Sequence, residues 1–219
     1  MARLVYGPEL FTVGSDTELH AYDPNWVSAG AAFGINTLSV RASTDNVQMP
    51  TAGEGTGYRW MGVTLVDQRV IATLVTSATC IPGIIVRCDG SENCYFAEWN
   101  VPDGHITLYR VLAGTPTNIA TGGTVTAATY ANCFVKVTGV GATVTITVGD
   151  DTNGTVITFG DTDGNRRTAG QPGLIGYDDA GLSGSYDDVS IYDELSTASP
   201  PIQQAPGSVG NLSIHPVRD

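Results

Sequence analysis

Basic residues are scarce in this chain, and lysine occurs once, at Lys136. Ten lysines and arginines stand against 22 aspartates and glutamates, so the formal net charge is −12. Affinity for nucleic acid comes largely from clustered Lys and Arg side chains that neutralise phosphates. The composition therefore excludes nucleic acid as a default partner.

Long apolar runs are absent as well. No segment approaches the roughly 18 consecutive apolar residues that a membrane-spanning helix needs. The opening residues, Met1-Ala2-Arg3-Leu4, do not begin the apolar run of a secretory signal. We therefore expect no membrane partner and a protein that is cytoplasmic in origin or already processed.

Cysteine and histidine are too sparse for the sites they usually build. The four cysteines have neither the density of a disulfide framework nor the spacing of a zinc site. Cys88 and Cys94 flank a short acidic loop and can pair across a hairpin, although reduced, buried thiols are the simpler interpretation. The three histidines, His20, His105 and His215, lie in no recognisable nucleophile motif.

Glycine and threonine, by contrast, are abundant, with 27 of each. Threonine favours half-buried pleated surfaces, and glycine marks the turns between them. No convincing amphipathic helix is present, and a chain of 219 residues is typical of one β-domain. The sequence therefore predicts an all-β fold.

Short strands alternate with turn signals from about residue 35 onward. In the segment 144–148, Val144, Ile146 and Val148 alternate with threonines, which predicts one buried and one solvated face. The expected strands are 35–40, 62–66, 67–75, a hairpin of 83–88 with 94–99, 105–111, a hairpin of 133–137 with 143–148, 172–177 and 186–192.

Both ends of the chain differ from this pattern. Residues 1–20 have few periodic positions and are interpreted as an N-terminal arm or an edge strand. Residues 196–219 form a tail rich in Pro, Gly and Ser. Residues 21–195 are left as the β-domain.

The order of several short motifs resembles one family of β-domains. The motifs are Asp23-Pro24-Asn25-Trp26-Val27, Asp67-Gln68-Arg69-Val70, Gly83-Ile84-Ile85-Val86-Arg87, Tyr95 and Ala97, Leu108-Tyr109-Arg110-Val111 with Gly114, Val135-Lys136-Val137-Thr138-Gly139, Gly170-Gln171-Pro172-Gly173-Leu174 and Asp187-Asp188-Val189. Over residues 20–194 the chain resembles the concanavalin A-like (laminin-G-like) jelly rolls, particularly those of tailed-bacteriophage structural proteins. The resemblance implies a jelly-roll sandwich of two curved antiparallel sheets.

Members of that superfamily include glycoside hydrolases, lectin-like modules and virion decoration domains, so the fold alone does not decide the function. The hydrolases place several acids alternately on one strand, because retaining chemistry needs two carboxyls about 5 Å apart. Here the corresponding strand, 94–100, has only Glu98. We therefore expect no catalytic residues, and a hydrolase would have to depend on Glu98.

Two kinds of ligand site remain open. Trp99 and Tyr109 are candidates for a sugar-stacking platform, since flat rings pack against sugar rings, with burial in the core as the alternative. The resemblance also implies a structural calcium held by Asp187 or Asp188, and the alternative is that both acids merely end a solvated strand.

The resemblance favours a non-enzymatic virion protein, assembled in the host cytoplasm, that decorates and stabilises a capsid. Its partners would be the major capsid protein or other virion proteins, and it would form a homo-oligomer. The terminal arms would dock into neighbouring subunits through apolar anchors. Those anchors are Leu4, Val5, Leu10, Phe11, Leu212, Ile214 and Val217. The alternative is a carbohydrate-binding module that adheres to host-surface glycans.

Overall fold

A computed structural model describes residues 2–9, 11, 15, 17–31, 38–41, 46–48, 54–178 and 185–194. This part of the chain holds sixteen strands and one helix. They are β1 (Arg3–Glu9), β2 (Thr17–Glu18), α1 (Leu19–Tyr22), β3 (Trp26–Ser28), β4 (Ser39–Arg41), β5 (Asn46–Gln48), β6 (Glu54–Trp60), β7 (Gln68–Val75), β8 (Cys80–Cys88), β9 (Cys94–Asn100), β10 (His105–Leu112), β11 (Thr115–Gly122), β12 (Thr129–Thr138), β13 (Val144–Asp150), β14 (Gly154–Asp161), β15 (Gln171–Asp178) and β16 (Ser185–Asp193).

The strands form two antiparallel sheets that pack face to face as a jelly-roll sandwich, which confirms the predicted fold class. The nine-stranded sheet has the order β14-β13-β12-β7-β16-β5-β4-β2, and β1 pairs with β16 outside this path. The seven-stranded sheet has the order β11-β10-β9-β8-β15-β6-β3. The main apolar core lies between the two sheets.

Alternation of apolar and polar residues positions the strands as predicted. In β13, Val144, Ile146 and Val148 are fully buried, while Thr145 and Thr147 are partly exposed on the other side. Strand β7 has the same alternation over eight residues. Strands β7 and β13 therefore each place one row of buried side chains in the core and leave a partly exposed row on the outer face.

The expected strand 62–66 is wrong. The strand there ends at Trp60, and a turn follows in which a side chain on Gly62 would meet the Trp60 ring at 2.3 Å. The expected strand 35–40 lies only partly within the described residues, where Ser39–Arg41 forms β4. Strands β11 and β14 are additions that the sequence pattern does not indicate.

In the described part of the chain, the one α-helix is the single turn α1, which buries Leu19 in the core. No helix within the described ranges is long and apolar enough to cross a membrane.

The N-terminal segment contains an edge strand, which is one of the two interpretations of residues 1–20. Strand β1 pairs antiparallel with β16 along Arg3–Glu9. The tail, residues 196–219, lies outside the described part of the chain.

Arg87 joins three loops at one end of the sandwich. Its side chain is fully buried, and its Nε donates to the carbonyl of Val66 at 2.8 Å. Its Nη1 donates to the carbonyl of Arg167 at 2.6 Å and its Nη2 to that of Gly139 at 2.8 Å. Asp67 lies 3.5 Å from the guanidinium, which gives the buried charge a partner.

Candidate functional site

The seven-stranded sheet is apolar on both faces. Along β9, Tyr95 and Trp99 belong to the main core, whereas Cys94 and Phe96 lie on the outer face. The outer-face cluster comprises Ala29, Ile85, Cys88, Cys94, Phe96, Val111 and Ile175, with Tyr109 packed against it. These seven side chains are buried, so the outer side of the sheet holds a second, smaller apolar core, and the partly exposed Tyr109 packs against it.

Trp99 is a core residue and presents no ring face to a sugar. Its side chain is 0% exposed, and its indole N–H donates to Asp150 Oδ2 at 2.8 Å. The predicted platform at Trp99 is therefore corrected. The side chain points inward because the inward positions of β9 fill the space between the sheets.

Tyr109 lies on the outer face and is partly exposed. Its ring stacks on Phe96 with centroids 4.7 Å apart and an interplanar angle of 20°. The two residues face each other across the β9–β10 ladder, so the backbone fixes their relation. The Tyr109 ring is partly exposed, and sugar stacking on it remains a prediction.

Two rows of side chains cross this face at neighbouring strands. Residues directly opposite each other in a ladder share a face. The rows are Asn118, Tyr109, Phe96 and Ile85 in the first, and Thr121, Thr107, Glu98 and Gly83 in the second. We call Phe96, Glu98, Thr107 and Tyr109 the Glu98 face.

Glu98 is a partly buried carboxyl in the middle of this surface. Among the described residues, none donates a hydrogen bond to it. Burial raises the pKa of Glu98 to about 7, and the negative charge of Asp103 adds to the shift. Near neutral pH the group therefore exchanges its proton easily.

Thr107 lies opposite Glu98 and is 1% exposed. Its hydroxyl is next to the Tyr109 phenol but makes no hydrogen bond of good geometry with any group in the described ranges. Burial, with the charges of Glu98 and Asp103, raises the pKa of Tyr109. The face thus combines an aromatic pair with a carboxyl and a hydroxyl for which no described residue provides a hydrogen bond of good geometry.

Ionisation of the Glu98 carboxyl at high pH should lower the free energy of unfolding. A carboxyl whose pKa is raised on folding holds its proton longer in the folded state, so stability falls as pH rises from about 4.5 towards 7. We expect Glu98→Gln to be more stable than the wild type by about 1–2 kcal/mol at pH 8, after allowance for screening by solvent. At pH 4.5 the two should be equal.

Urea denaturation at both pH values measures this difference. Asp151→Asn, which removes an exposed acid on the other sheet, is the control and should show no such step. A Glu98→Gln variant less stable than the wild type at pH 8 would show that the carboxylate is satisfied within the fold.

A separate cleft opens at the end of the sandwich where Arg87 joins the loops. It has a volume of about 490 Å³ and lies between the β8–β9 loop, the β10–β11 turn and the loop before β15. Its lining residues are Asn93, Leu112, Ala113, Gly164, Asn165, Arg166 and Arg167. Arg167 is held by Asp89 at 2.5 Å, and Asn93 also donates to Asp89. Of the other polar side chains in the cleft, Arg166 donates to the carbonyls of Gly141 and Asp163 at 2.9 Å.

Asp187 and Asp188 do not form a metal centre with other side chains in the described residues, where no three His, Cys, Asp or Glu groups gather. Asp188 is exposed and accepts a hydrogen bond from the Thr73 hydroxyl at 3.3 Å. Asp187 Oδ1 accepts from the backbone N–H of Asp188 at 2.9 Å. Calcium binding at these acids stays a prediction.

The apolar anchors predicted for partner docking divide into three groups. Leu4 is 44% exposed, Val5 packs partly against the core, and Phe11 is fully buried in it. Phe11 is therefore a core residue and not a free anchor, because it fills space beside Tyr22 at 5.9 Å between ring centroids. The other anchors, Leu10, Leu212, Ile214 and Val217, lie outside the described residues.

Cys88 and Cys94 lie next to each other as free thiols on the outer side of the seven-stranded sheet. Burial and contact with Cys88 raise the pKa of Cys94 well above its usual range. Both groups are fully buried, so they pack as small apolar residues.

Comparisons with known proteins find similar folds but no matching sequence family. No family model matches the chain, and no curated protein matches it. Among solved structures, it is similar to the carbohydrate-binding module CBM66 from Bacillus subtilis, with a TM-score of 0.55, 15% identity and coverage of 76% of this chain and 94% of that one.

Two further structures have the same architecture. One is a Bacillus subtilis protein of unknown function with a galectin-like fold, with a TM-score of 0.57, 10% identity and coverage of 88% of this chain and 98% of that one. The other is the exoplasmic domain of VIP36 with bound Ca²⁺ and Man3GlcNAc, with a TM-score of 0.51, 10% identity and coverage of 91% and 93%. At these identities the similarity shows the concanavalin A-like or galectin-like sandwich alone.

Proposed function

We propose that this protein is a non-catalytic carbohydrate-binding module whose ligand lies on the Glu98 face. The observation that carries the proposal is the partly exposed, stacked Tyr109 next to the Glu98 carboxyl, which receives no hydrogen bond from the residues that the structure describes. Sugars present apolar ring faces and many hydroxyls, so one sugar can stack on Tyr109 and donate a hydrogen bond to Glu98. A binding role also fits β9, where Glu98 is the only acid.

Similar structures support this class of ligand. One is a carbohydrate-binding module, and another is a lumenal domain with bound Man3GlcNAc. The alternative of a capsid-decorating protein depends on the resemblance to phage jelly rolls, and the comparisons lend the virion context no support. Of its proposed anchors, the buried Phe11 cannot dock on a partner as placed. We therefore favour glycan binding over capsid decoration, and we propose that the protein acts at surfaces that carry glycans.

Replacement of Tyr109 by alanine is expected to weaken glycan binding about 2- to 13-fold, since an aromatic contact of this kind contributes roughly 0.5–1.5 kcal/mol. Tyr109→Phe should keep most of the affinity because the ring remains. Binding is measured on a panel of immobilised neutral glycans that includes Man3GlcNAc.

The matched control is Tyr192→Ala. Tyr192 is a partly exposed tyrosine on the outer face of the other sheet, where Arg69 lies 4.8 Å above its ring. Its loss should leave glycan binding unchanged. Equal binding by wild type and Tyr109→Ala would reject the Glu98 face, and no binding to any glycan on the panel would reject the proposed function.

A further inference from the structure

Within the described ranges, the Glu98 carboxyl lacks the hydrogen-bond donors that Asp89 and Asp161 have. Asp89 accepts from Asn93 and Ser91, and Asp161 accepts from Tyr95 and Arg110. Among the described residues, no donor reaches Glu98. A carboxylate placed in a partly apolar surface without donors is stabilised only when something outside the chain donates to it.

Gly83 and Thr107 are the residues directly opposite Glu98 on its two neighbouring strands. On one side, β8 presents Gly83, where an added Cβ would lie 3.2 Å from Glu98 Cγ and 3.0 Å from Ile175 Cγ2. On the other side, β10 presents the Thr107 hydroxyl. The lack of a side chain on Gly83 leaves the Glu98 stem room to lie along the sheet, with its carboxyl at a partly open surface.

The titratable groups that act on Glu98 are few. Asp103 in the turn after β9 and Tyr109 on β10 interact with it electrostatically, and Tyr186 of β16 does so through the sheet. His105 lies on the same face of β10, opposite Asn100. No arginine or lysine in the described ranges compensates the Glu98 charge.

We propose that Glu98 is the ligand-binding carboxylate of this module and accepts hydrogen bonds from two neighbouring hydroxyls of an uncharged sugar. This inference rests on the proposed glycan-binding function. Charge-assisted hydrogen bonds to a carboxylate are about twice as strong as neutral ones, so the ionised form binds the sugar more tightly. Acidic sugars are excluded because Glu98 and Asp103 repel their carboxylates.

The consequence is binding that strengthens as pH rises. The free carboxyl has a pKa of about 7, raised by burial. Hydrogen bonds from two hydroxyls lower that pKa in the complex. For each unit by which the pKa falls, the ionised form binds the sugar about tenfold more tightly than the protonated form. For a fall of about one unit, we expect affinity at pH 8.5 to be roughly 5- to 10-fold higher than at pH 5.5.

The test uses the full chain on immobilised neutral glycans ending in mannose, glucose, galactose or fructose, with uronic-acid-terminated glycans beside them. Affinity is measured at pH 5.5, 7 and 8.5 for the wild type, Glu98→Gln and His105→Gln. We expect the wild type to bind a neutral glycan with the rising profile and to bind no uronate. Glu98→Gln should bind about tenfold more weakly at pH 8.5, with a flat profile.

His105→Gln is the matched control, since His105 lies two residues before Thr107 on the same face of β10. It should retain the pH step. A wild-type profile that is flat or falls with pH, or a step lost in His105→Gln and kept in Glu98→Gln, would overturn the inference while glycan binding itself stands. Absence of glycan binding at every pH would instead remove the proposed function, and this inference with it.

Discussion

Replacement of Arg87 by methionine is expected to lower the free energy of unfolding by about 3–5 kcal/mol, the loss that follows when one partner of a buried ion pair is removed. Methionine keeps the length and apolar stem of the side chain, so the change isolates the guanidinium. The variant leaves three backbone carbonyls without their donors, and Asp67 loses its cationic neighbour. Urea denaturation at pH 7 measures the difference.

Two further variants make this prediction specific. Arg87→Lys retains a charge but has one compact ammonium in place of a planar fork, so it cannot reach carbonyls of three separate loops and should recover only part of the loss. Arg3→Met is the control, because Arg3 is 64% exposed in its ion pair with Asp193 and should change stability by less than about 1 kcal/mol. Arg87→Met within about 1 kcal/mol of the wild type would contradict the structural role of the buried charge.

The hydrogen-bond partners of Arg87 could not be predicted from the sequence. A single arginine within the apolar strand β8 indicates a charge that needs buried partners, but nothing local identifies them. The carbonyls it contacts belong to residues 21, 52 and 80 positions away along the chain. Only the assembled sheets bring these loops together.

Strands with one apolar face were predictable, and the edge strands β11 and β14 were not. Alternation over Val144, Ile146 and Val148 gave the orientation of β13 directly. Strand β11 has four exposed residues at its start, including Pro116, and no alternating pattern. It forms because its backbone pairs with β10, and an edge strand of this kind needs no apolar row of its own.

Asp150, at the end of β13, makes local hydrogen bonds that its sequence indicates and a distant one that its sequence does not. Aspartate in a tight turn commonly bonds its own backbone, and Asp150 Oδ1 accepts from the N–H groups of Thr152 and Asn153 at 2.8 and 2.7 Å. Its second oxygen accepts from the Trp99 indole on the opposite sheet, which no local pattern indicates. The candidate site has the same limit, since the raised pKa of Glu98 depends on burial that only the fold supplies.

The two aromatic candidates differ for one physical reason. Tyr109 and Trp99 both lie on strands with apolar residues on each side, so the pattern could not tell the inner face from the outer one. The register decides it, because Tyr109 pairs with outward-facing Phe96 while Trp99 pairs with Ile106 of the main core. Trp99→Ala and Tyr109→Ala should therefore fail in different ways.

Trp99→Ala is expected to destabilise the fold by about 3–5 kcal/mol, the usual cost of emptying the space of a buried tryptophan. For a chain of this length that corresponds to a fall of roughly 6–20 °C in the thermal midpoint. Trp99→Phe should cost less, about 1–3 kcal/mol, since most of the volume remains while Asp150 loses the indole N–H donor. Thermal denaturation followed by near-ultraviolet circular dichroism measures both changes.

Tyr109→Ala provides the contrast, because its partly exposed ring fills no space in the main core. It should lose glycan affinity at a thermal midpoint close to that of the wild type, whereas Trp99→Phe should bind glycans normally at temperatures where it is folded. Should Trp99→Ala keep its thermal midpoint and lose glycan binding, Trp99 would have to face the ligand, and the assignment of the inner and outer faces of β9 would be reversed. That outcome would also place Glu98 in the core, where a carboxyl without a donor would be far more costly than at a partly open surface.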